Sequence, residues 1–199
     1  MGRLIRMRWS FGDVRVEEAR QRDALAALDL YRRVLAEERW FITRGDEYTF
    51  SLDEMSLRVE DMRVSPNSIF LVARGKEVPV AGLFLVFGGS LSRMRHTGKL
   101  EILVDPTQRG RGVGRALLTA GMEWAHANPV LEKLGLSVFS DNQRAVALYR
   151  AFGFKEEGCR RKEYRMDDGS YRDDLLLHCS VSSAIDESSS SDDHSASLR

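Results

Sequence analysis

Val104-Asp105-Pro106-Thr107-Gln108-Arg109-Gly110-Arg111-Gly112-Val113-Gly114 decides how this chain folds, because it joins a strand-like run to a helical one through three alternating glycines. Gly98 to Val104 reads as the strand. Val113 to Ala127 reads as the helix, with Val113, Leu117, Met122, Trp124 and Ala125 along its buried side. Glycine tolerates positive φ and lets backbone N–H groups approach a ligand closely. The helix that opens here also presents unpaired donors and the positive end of its dipole. That combination suits a diphosphate, although a tight strand-to-helix turn without a ligand has the same glycines. Two phosphate motifs are excluded: no Gly-Lys-Ser/Thr follows, and Arg115 stands where the dinucleotide fingerprint needs its third glycine.

Upstream, Val14 to Val16 suits a first strand, and Ala24, Leu25, Leu28, Tyr31, Val34 and Leu35 recur at helical spacing, predicting a helix to about Arg39. Ser51-Leu52-Asp53-Glu54 is a capping-box start for a second helix through about Arg63. Ser68 to Ala73 and Val80 to Phe87 are strands that form an antiparallel meander with Gly98 to Val104. Downstream come a strand at Leu134 to Phe139 and a helix capped at Asp141 or Asn142. Two strands, Phe154 to Arg165 and Tyr171 to Cys179, follow around the turn Asp167-Asp168-Gly169-Ser170. The order β, α, α, β, β, β, α, β, α, β, β implies an α/β (α+β) mixed sheet with helices on both faces.

The chain has 199 residues with 30 Lys plus Arg and 30 Asp plus Glu, so no global field holds it on nucleic acid or an anionic membrane. The longest apolar stretch, Val78 to Phe87, is half the ~20 residues that a membrane-spanning helix needs. Met1 to Ser10 lacks the apolar segment of a signal peptide, and Arg6 replaces the Ser or Thr of a myristoylation signal, so the expected location is cytoplasmic. Cys159 and Cys179, the only cysteines, read as free thiols, and the four histidines have no metal-ligand spacing, so no metal is expected. Three regions emerge: an N-terminal arm at 1–11, a single folded domain at 12–181, and a Ser/Asp-rich tail at 182–199 too polar to order itself.

Asn142, Ala145 and Tyr149 are spaced i, i+3, i+7, one stripe of the last helix. By itself this is a capped helix with a core tyrosine. Together, Val104-x-Pro106-x-x-Arg109-Gly110-x-Gly112-Val113-Gly114 and Asn142-x-x-Ala145-x-x-Leu148-Tyr149-x-x-x-Gly153-Phe154 resemble the two acetyl-CoA motifs of the GNAT superfamily of N-acetyltransferases, in family order. The resemblance spans residues 12 to 180. Gly158, Gly169, Tyr171 and Asp173 are similar to the closing hairpin of bacterial members that acetylate amino acids, polyamines or protein N-termini.

This resemblance implies a central, mostly antiparallel sheet of about seven strands and acetyl-CoA as acyl donor. Leu103 and Val104 would line the pantetheine arm, Arg109, Gly110, Arg111, Gly112, Val113, Gly114 and Arg115 would hold the diphosphate, and Asn142, Ala145 and Tyr149 would face the arm from the other side. Arg109 and Arg111 could equally be solvated. Direct attack by the amine fits a chain with no defensible Ser-His-Asp or Cys-His set. The family's tyrosine makes Tyr149 the candidate general acid. Glu101, an acid within an apolar strand, is the candidate base, or else an outward-facing strand residue. Trp40, Phe41, Tyr48 and Phe50 are an acceptor-site wall or simple packing. The expected partner is a small-molecule amine, amino acid or polyamine-like, with a protein N-terminus as alternative acceptor and a non-catalytic acyl-CoA sensor as the rival class. No nucleic acid or membrane partner is expected, and a homodimer is an open option.

Overall fold

A computed structural model describes residues 8–182. The Ser/Asp-rich tail beyond Ser182 and the first seven residues of the arm lie outside the described residues. In chain order the elements are β1 (Arg8–Phe11), β2 (Val14–Glu18), α1 (Ala24–Leu35), α2 (Leu52–Val64), β3 (Ile69–Arg74), β4 (Gly82–Gly88), β5 (Thr97–Val104), α3 (Val113–Ala127), β6 (Lys133–Phe139), α4 (Gln143–Ala151), β7 (Lys155–Arg165) and β8 (Tyr171–Ser180). The caps act as their sequences predict. Glu54 N donates to Ser51 Oγ at 3.2 Å while Ser51 N donates to Glu54 at 2.8 Å. At α4, Ala145 N donates to Asn142 Oδ1 at 3.2 Å.

Eight strands form one sheet in the order β1-β2-β3-β4-β5-β6-β8-β7, antiparallel everywhere except between β5 and β6. Strand alternation sends Leu71, Phe84, Val86 and Leu100 to one face, where α3 and α4 contribute Leu117, Leu118 and Val146. Phe70, Leu83, Leu85 and Leu103 point to the other, where α1 and α2 contribute Leu28, Leu30, Met55 and Val59. A sheet buried on both faces reads as a near-continuous apolar run, which is why Phe70 to Ala73 and Leu83 to Val86 do not alternate in sequence.

Two expectations differ from the structure. The extra strand is β1, which pairs with β2 across Gly12 and so draws residues 8–11 of the arm into the sheet. Trp9, half-buried, packs on the α3 side and donates its indole N–H to Glu123 at 2.5 Å. Helix α1 stops at Leu35, not Arg39, because Ala36 to Arg39 are all exposed and a further turn would bury nothing. Glu38 takes φ 47° and turns the chain away.

Candidate active site

The site begins where two strands part. β5 and β6 are paired only over Thr97–Lys99 and Lys133–Gly135. Beyond Lys99, β5 keeps β4 as neighbour and β6 keeps β8, so the facing edge of Leu100 to Val104 has no strand partner among the described residues. Apart from the Val104 carbonyl, which accepts from Arg109 Nε at 3.3 Å, this edge leaves backbone donors and acceptors free in mid-sheet, an arrangement suited to an extended amide-bearing ligand. The resulting cleft has a volume of about 1070 Å³ and runs between the two faces of the sheet.

At one end lies the glycine turn. Asp105, 2% exposed, accepts from Thr107 N at 2.9 Å and Thr107 Oγ1 at 2.6 Å, and Arg33 donates to it at 2.9 and 3.0 Å. This fixes the chain as it leaves β5. Gly110 and Gly112 then adopt φ of 81° and 83°, the left-handed region, and Gly112 caps α3 with no side chain over the first helical N–H groups. A Cβ placed on Gly112 would meet nothing within 4 Å. The open space in front of unpaired N–H groups fits a diphosphate.

Both arginines beside the glycines pair with glutamates. The Arg109 guanidinium forks onto Glu37, with Nη1 at 2.9 Å, and Arg111 Nη1 is 2.8 Å from Glu77. Arg109 is partly buried against Glu37, whereas Arg111 and Glu77 are both exposed and Arg111 lies off the cleft wall. Arg115 and Arg144 have no carboxylate partner among the described residues and do line the cleft; Arg144 Nη2 would stand 3.8 Å from a Cβ on Gly110. Arg144 escapes sequence reading because only the docking of α4 on the turn reveals it.

Along the middle, Leu103, Val104, Val113 and Gly114 form one wall, and Asn142, Ala145 and Tyr149 form the other, so the helical stripe read from sequence does face the strand. Tyr149 is 7% exposed, its ring 5.8 Å from that of Phe154. Its hydroxyl has no hydrogen-bond partner among the described residues. Burial, and then the charge of Glu101, push this phenol above its ordinary pKa.

Glu101 lies on the same cleft, so it is not an outward-facing strand residue. It projects to the α1 and α2 side, where Tyr31 donates its hydroxyl to Oε1 at 2.6 Å. Burial raises the Glu101 carboxyl above the usual carboxylate range, and the Tyr31 hydrogen bond partly opposes this. Glu101 and Tyr149 therefore reach the cleft from opposite faces, through the gap between β5 and β6. Tyr31, in sequence one more apolar position of α1, is the residue that the helical pattern conceals. Around it, Tyr48 stacks on Tyr31 with centroids 5.2 Å apart and Phe50 on Tyr48 at 5.6 Å. Trp40, Phe41 and Tyr48 line the cleft, while Phe50 backs them.

A model of the acetyltransferase (GNAT) family matches residues 32–154. The chain belongs to the GNAT acetyltransferase family. It is similar to the N-alpha-acetyltransferase RimI of Mycobacterium tuberculosis, 37% identical over 107 residues, which are 51% of this chain and 61% of that protein. It is also similar to the L-amino acid N-acetyltransferase AaaT of Escherichia coli, 33% identical over 81 residues, 41% of this chain and 49% of that protein. The matches thus span about half to three fifths of these GNAT relatives. Among solved structures, the GNAT-family acetyltransferase from Streptococcus pneumoniae superposes with a TM-score of 0.80 at 28% identity, covering 84% of this chain and 99% of that one.

Proposed function

We propose that this protein is an N-acetyltransferase that moves an acetyl group from acetyl-CoA directly to the primary amine of a small molecule. The observation that carries this reading is the convergence of Glu101 and Tyr149 on the gap beside the glycine turn. The turn would hold the diphosphate through the N–H groups opening α3, assisted by Arg115 and Arg144, with the free edge of β5 bonding the pantetheine arm.

In this mechanism Glu101 accepts a proton from the incoming ammonium, directly or through one water, and frees the nitrogen lone pair to attack the thioester carbon. A backbone N–H at or near Val104 stabilises the negative charge that develops on the carbonyl oxygen. The C–N bond forms, the C–S bond breaks as Tyr149 protonates the departing thiolate, and the second proton that the nitrogen must shed returns through water to the Tyr149 phenolate, so that the one net proton released is the one Glu101 took. Burial keeps Tyr149 protonated at neutral pH but also makes it a weaker acid toward sulfur, whose conjugate acid resembles a thiol of pKa near 8.5. Cys159 and Cys179 lie outside this chemistry, in the terminal hairpin, both as free thiols.

The likeness to RimI, named an N-alpha-acetyltransferase, favours one second reading, in which the acceptor is a protein N-terminus. A thiol-release assay with acetyl-CoA, run on amino acids, polyamines and N-terminal peptides and followed by mass spectrometry of the product, tests both. Turnover only on peptides would replace the small-molecule reading with the second; turnover on none would leave a binding module.

A further inference from the structure

The acceptor end of the cleft holds a cation that no carboxylate contacts among the described residues, although Glu54, one helical turn away, and Glu101 feel its charge. Among the described arginines that are not exposed, Arg20, Arg63, Arg74, Arg109 and Arg172 each have a carboxylate within 4.0 Å. Arg58 alone has none, and among the described residues it has no hydrogen-bond partner either. It projects from α2 into the cleft wall, its guanidinium stacked 3.9 Å over the Phe50 ring. Stacking covers one face of the group and leaves its N–H edge without an acceptor, a costly arrangement for a half-buried charge unless something arrives to fill it.

The position of Arg58 says what that is. It is close enough that its charge stabilises the Glu101 carboxylate and is felt by Tyr31 and Tyr48. Lys99, on the same side of β5 as Glu101, also lines the cleft and also lacks a carboxylate partner among the described residues. Two unpaired cations therefore accompany the one carboxylate that would take the proton of the amine.

We propose that the acceptor is an amine that also carries a carboxylate, and that Arg58 is the residue that selects it. A stacked guanidinium presents a planar fork matched to a carboxylate, which it binds through two charge-assisted hydrogen bonds, while the ammonium of the same molecule points to Glu101. The second ammonium of a polyamine would meet Arg58 and Lys99 in a partly dry cleft and be repelled. The N-terminal residue of a peptide has its carboxyl tied up in an amide and offers Arg58 no charge. This inference rests on the acetyl-transfer reading, which a separate arm of the test isolates.

The experiment measures kcat and KM by thiol release for the twenty amino acids, each against its amide, with spermidine and an alanine-initiated tripeptide. It uses the intact protein, Arg58→Gln and Arg58→Lys. A charge-assisted bidentate contact corresponds to about 10- to 100-fold in affinity. The acid forms are expected to exceed their amides by that factor. Assayed well above the Glu101 midpoint, where loss of the Arg58 charge no longer changes how much of that carboxylate is ionised, Arg58→Gln should raise KM for the acids to the level of the amides, with kcat within about threefold and the amides unaffected; Arg58→Lys should recover part of the loss. Equal use of acids and amides, an equal loss for both in Arg58→Gln, or preference for spermidine or the tripeptide would overturn the proposal. Calorimetry with the N-acetyl amino acids in the presence of CoA supplies the independent arm. Arg58-dependent binding without any turnover would sink acetyl transfer and keep the carboxylate site. Turnover on spermidine alone would do the reverse, and neither binding nor turnover would remove both.

Discussion

Replacing Tyr149 by Phe removes one oxygen from the cleft and leaves the packing in place. The ring is 7% exposed and lies against Phe154, and its hydroxyl has no protein partner among the described residues, so no group is orphaned by the change. Folding stability should stay within about 0.5 kcal/mol of the parent or rise slightly, because a desolvated hydroxyl is lost and no hydrogen bond goes with it. General acids typically contribute about 10²- to 10⁴-fold. Two features place Tyr149 at or below the low end: a thiolate is a good leaving group, and burial lifts the phenol further above the thiol it must protonate. Turnover should therefore fall ~10- to 100-fold, or roughly 1.4 to 2.7 kcal/mol of barrier. Affinity for acetyl-CoA should change by less than about threefold, since the proton is needed only as the C–S bond breaks. The assay is turnover and calorimetric affinity on the same preparation. Unchanged turnover would reduce Tyr149 to packing; collapse of affinity alone would make it a cofactor contact and refute its role as the acid.

Glu101→Gln should lower turnover by about 10²-fold and flatten the acid side of the pH–rate profile, whose midpoint in the parent should lie above the ordinary glutamate value of about 4.3 because burial raises this carboxyl. In Tyr31→Phe the midpoint should move higher still, since the lost hydrogen bond favours the charged form; a downward shift would contradict the geometry. Gly112→Val forces a β-branched residue to φ 83° and fills the open space before α3, so the Kd for acetyl-CoA should rise at least ~100-fold by calorimetry, with the fold retained. At Asp105, burial works to raise the carboxyl, but the Thr107 and Arg33 hydrogen bonds more than offset it and hold it below the ordinary range. Its stabilisation is therefore present above about pH 4 and lost as pH falls through the folded value. Asp105→Asn should cost about 1 to 3 kcal/mol in denaturant titration at pH 7, mostly through Thr107 because Arg33 is half exposed, with the difference from the parent narrowing in acid.

The local signals in the sequence were strong enough to specify most elements: Ser51 and Glu54 capped α2, Asn142 capped α4, and Gly110 and Gly112 took the left-handed conformations that a strand-to-helix cradle needs. Glu101 and Tyr149 were legible as chemistry because one breaks an apolar run and the other falls on a stripe with Asn142. What the sequence left hidden depends on distant segments meeting. Arg109 and Arg111 look identical beside the glycines, but each is claimed by a glutamate more than thirty residues away, Glu37 and Glu77. Tyr31 is apolar by spacing and polar only because β5 brings Glu101 to its hydroxyl. Arg58 is one charge among many on α2, and its lack of a partner is visible only once every neighbouring side chain is placed.

The most direct test of direct acetyl transfer is thiol release from acetyl-CoA with and without amine, coupled to mass spectrometry of both the amine and the intact protein. Release should depend on the amine, the amine should gain 42 Da (one acetyl in place of one hydrogen) on its nitrogen, and the protein should never carry the acetyl group at any time point. A protein that binds acetyl-CoA yet releases no thiol with any amine, or one that becomes acetylated before the amine is added, would contradict it.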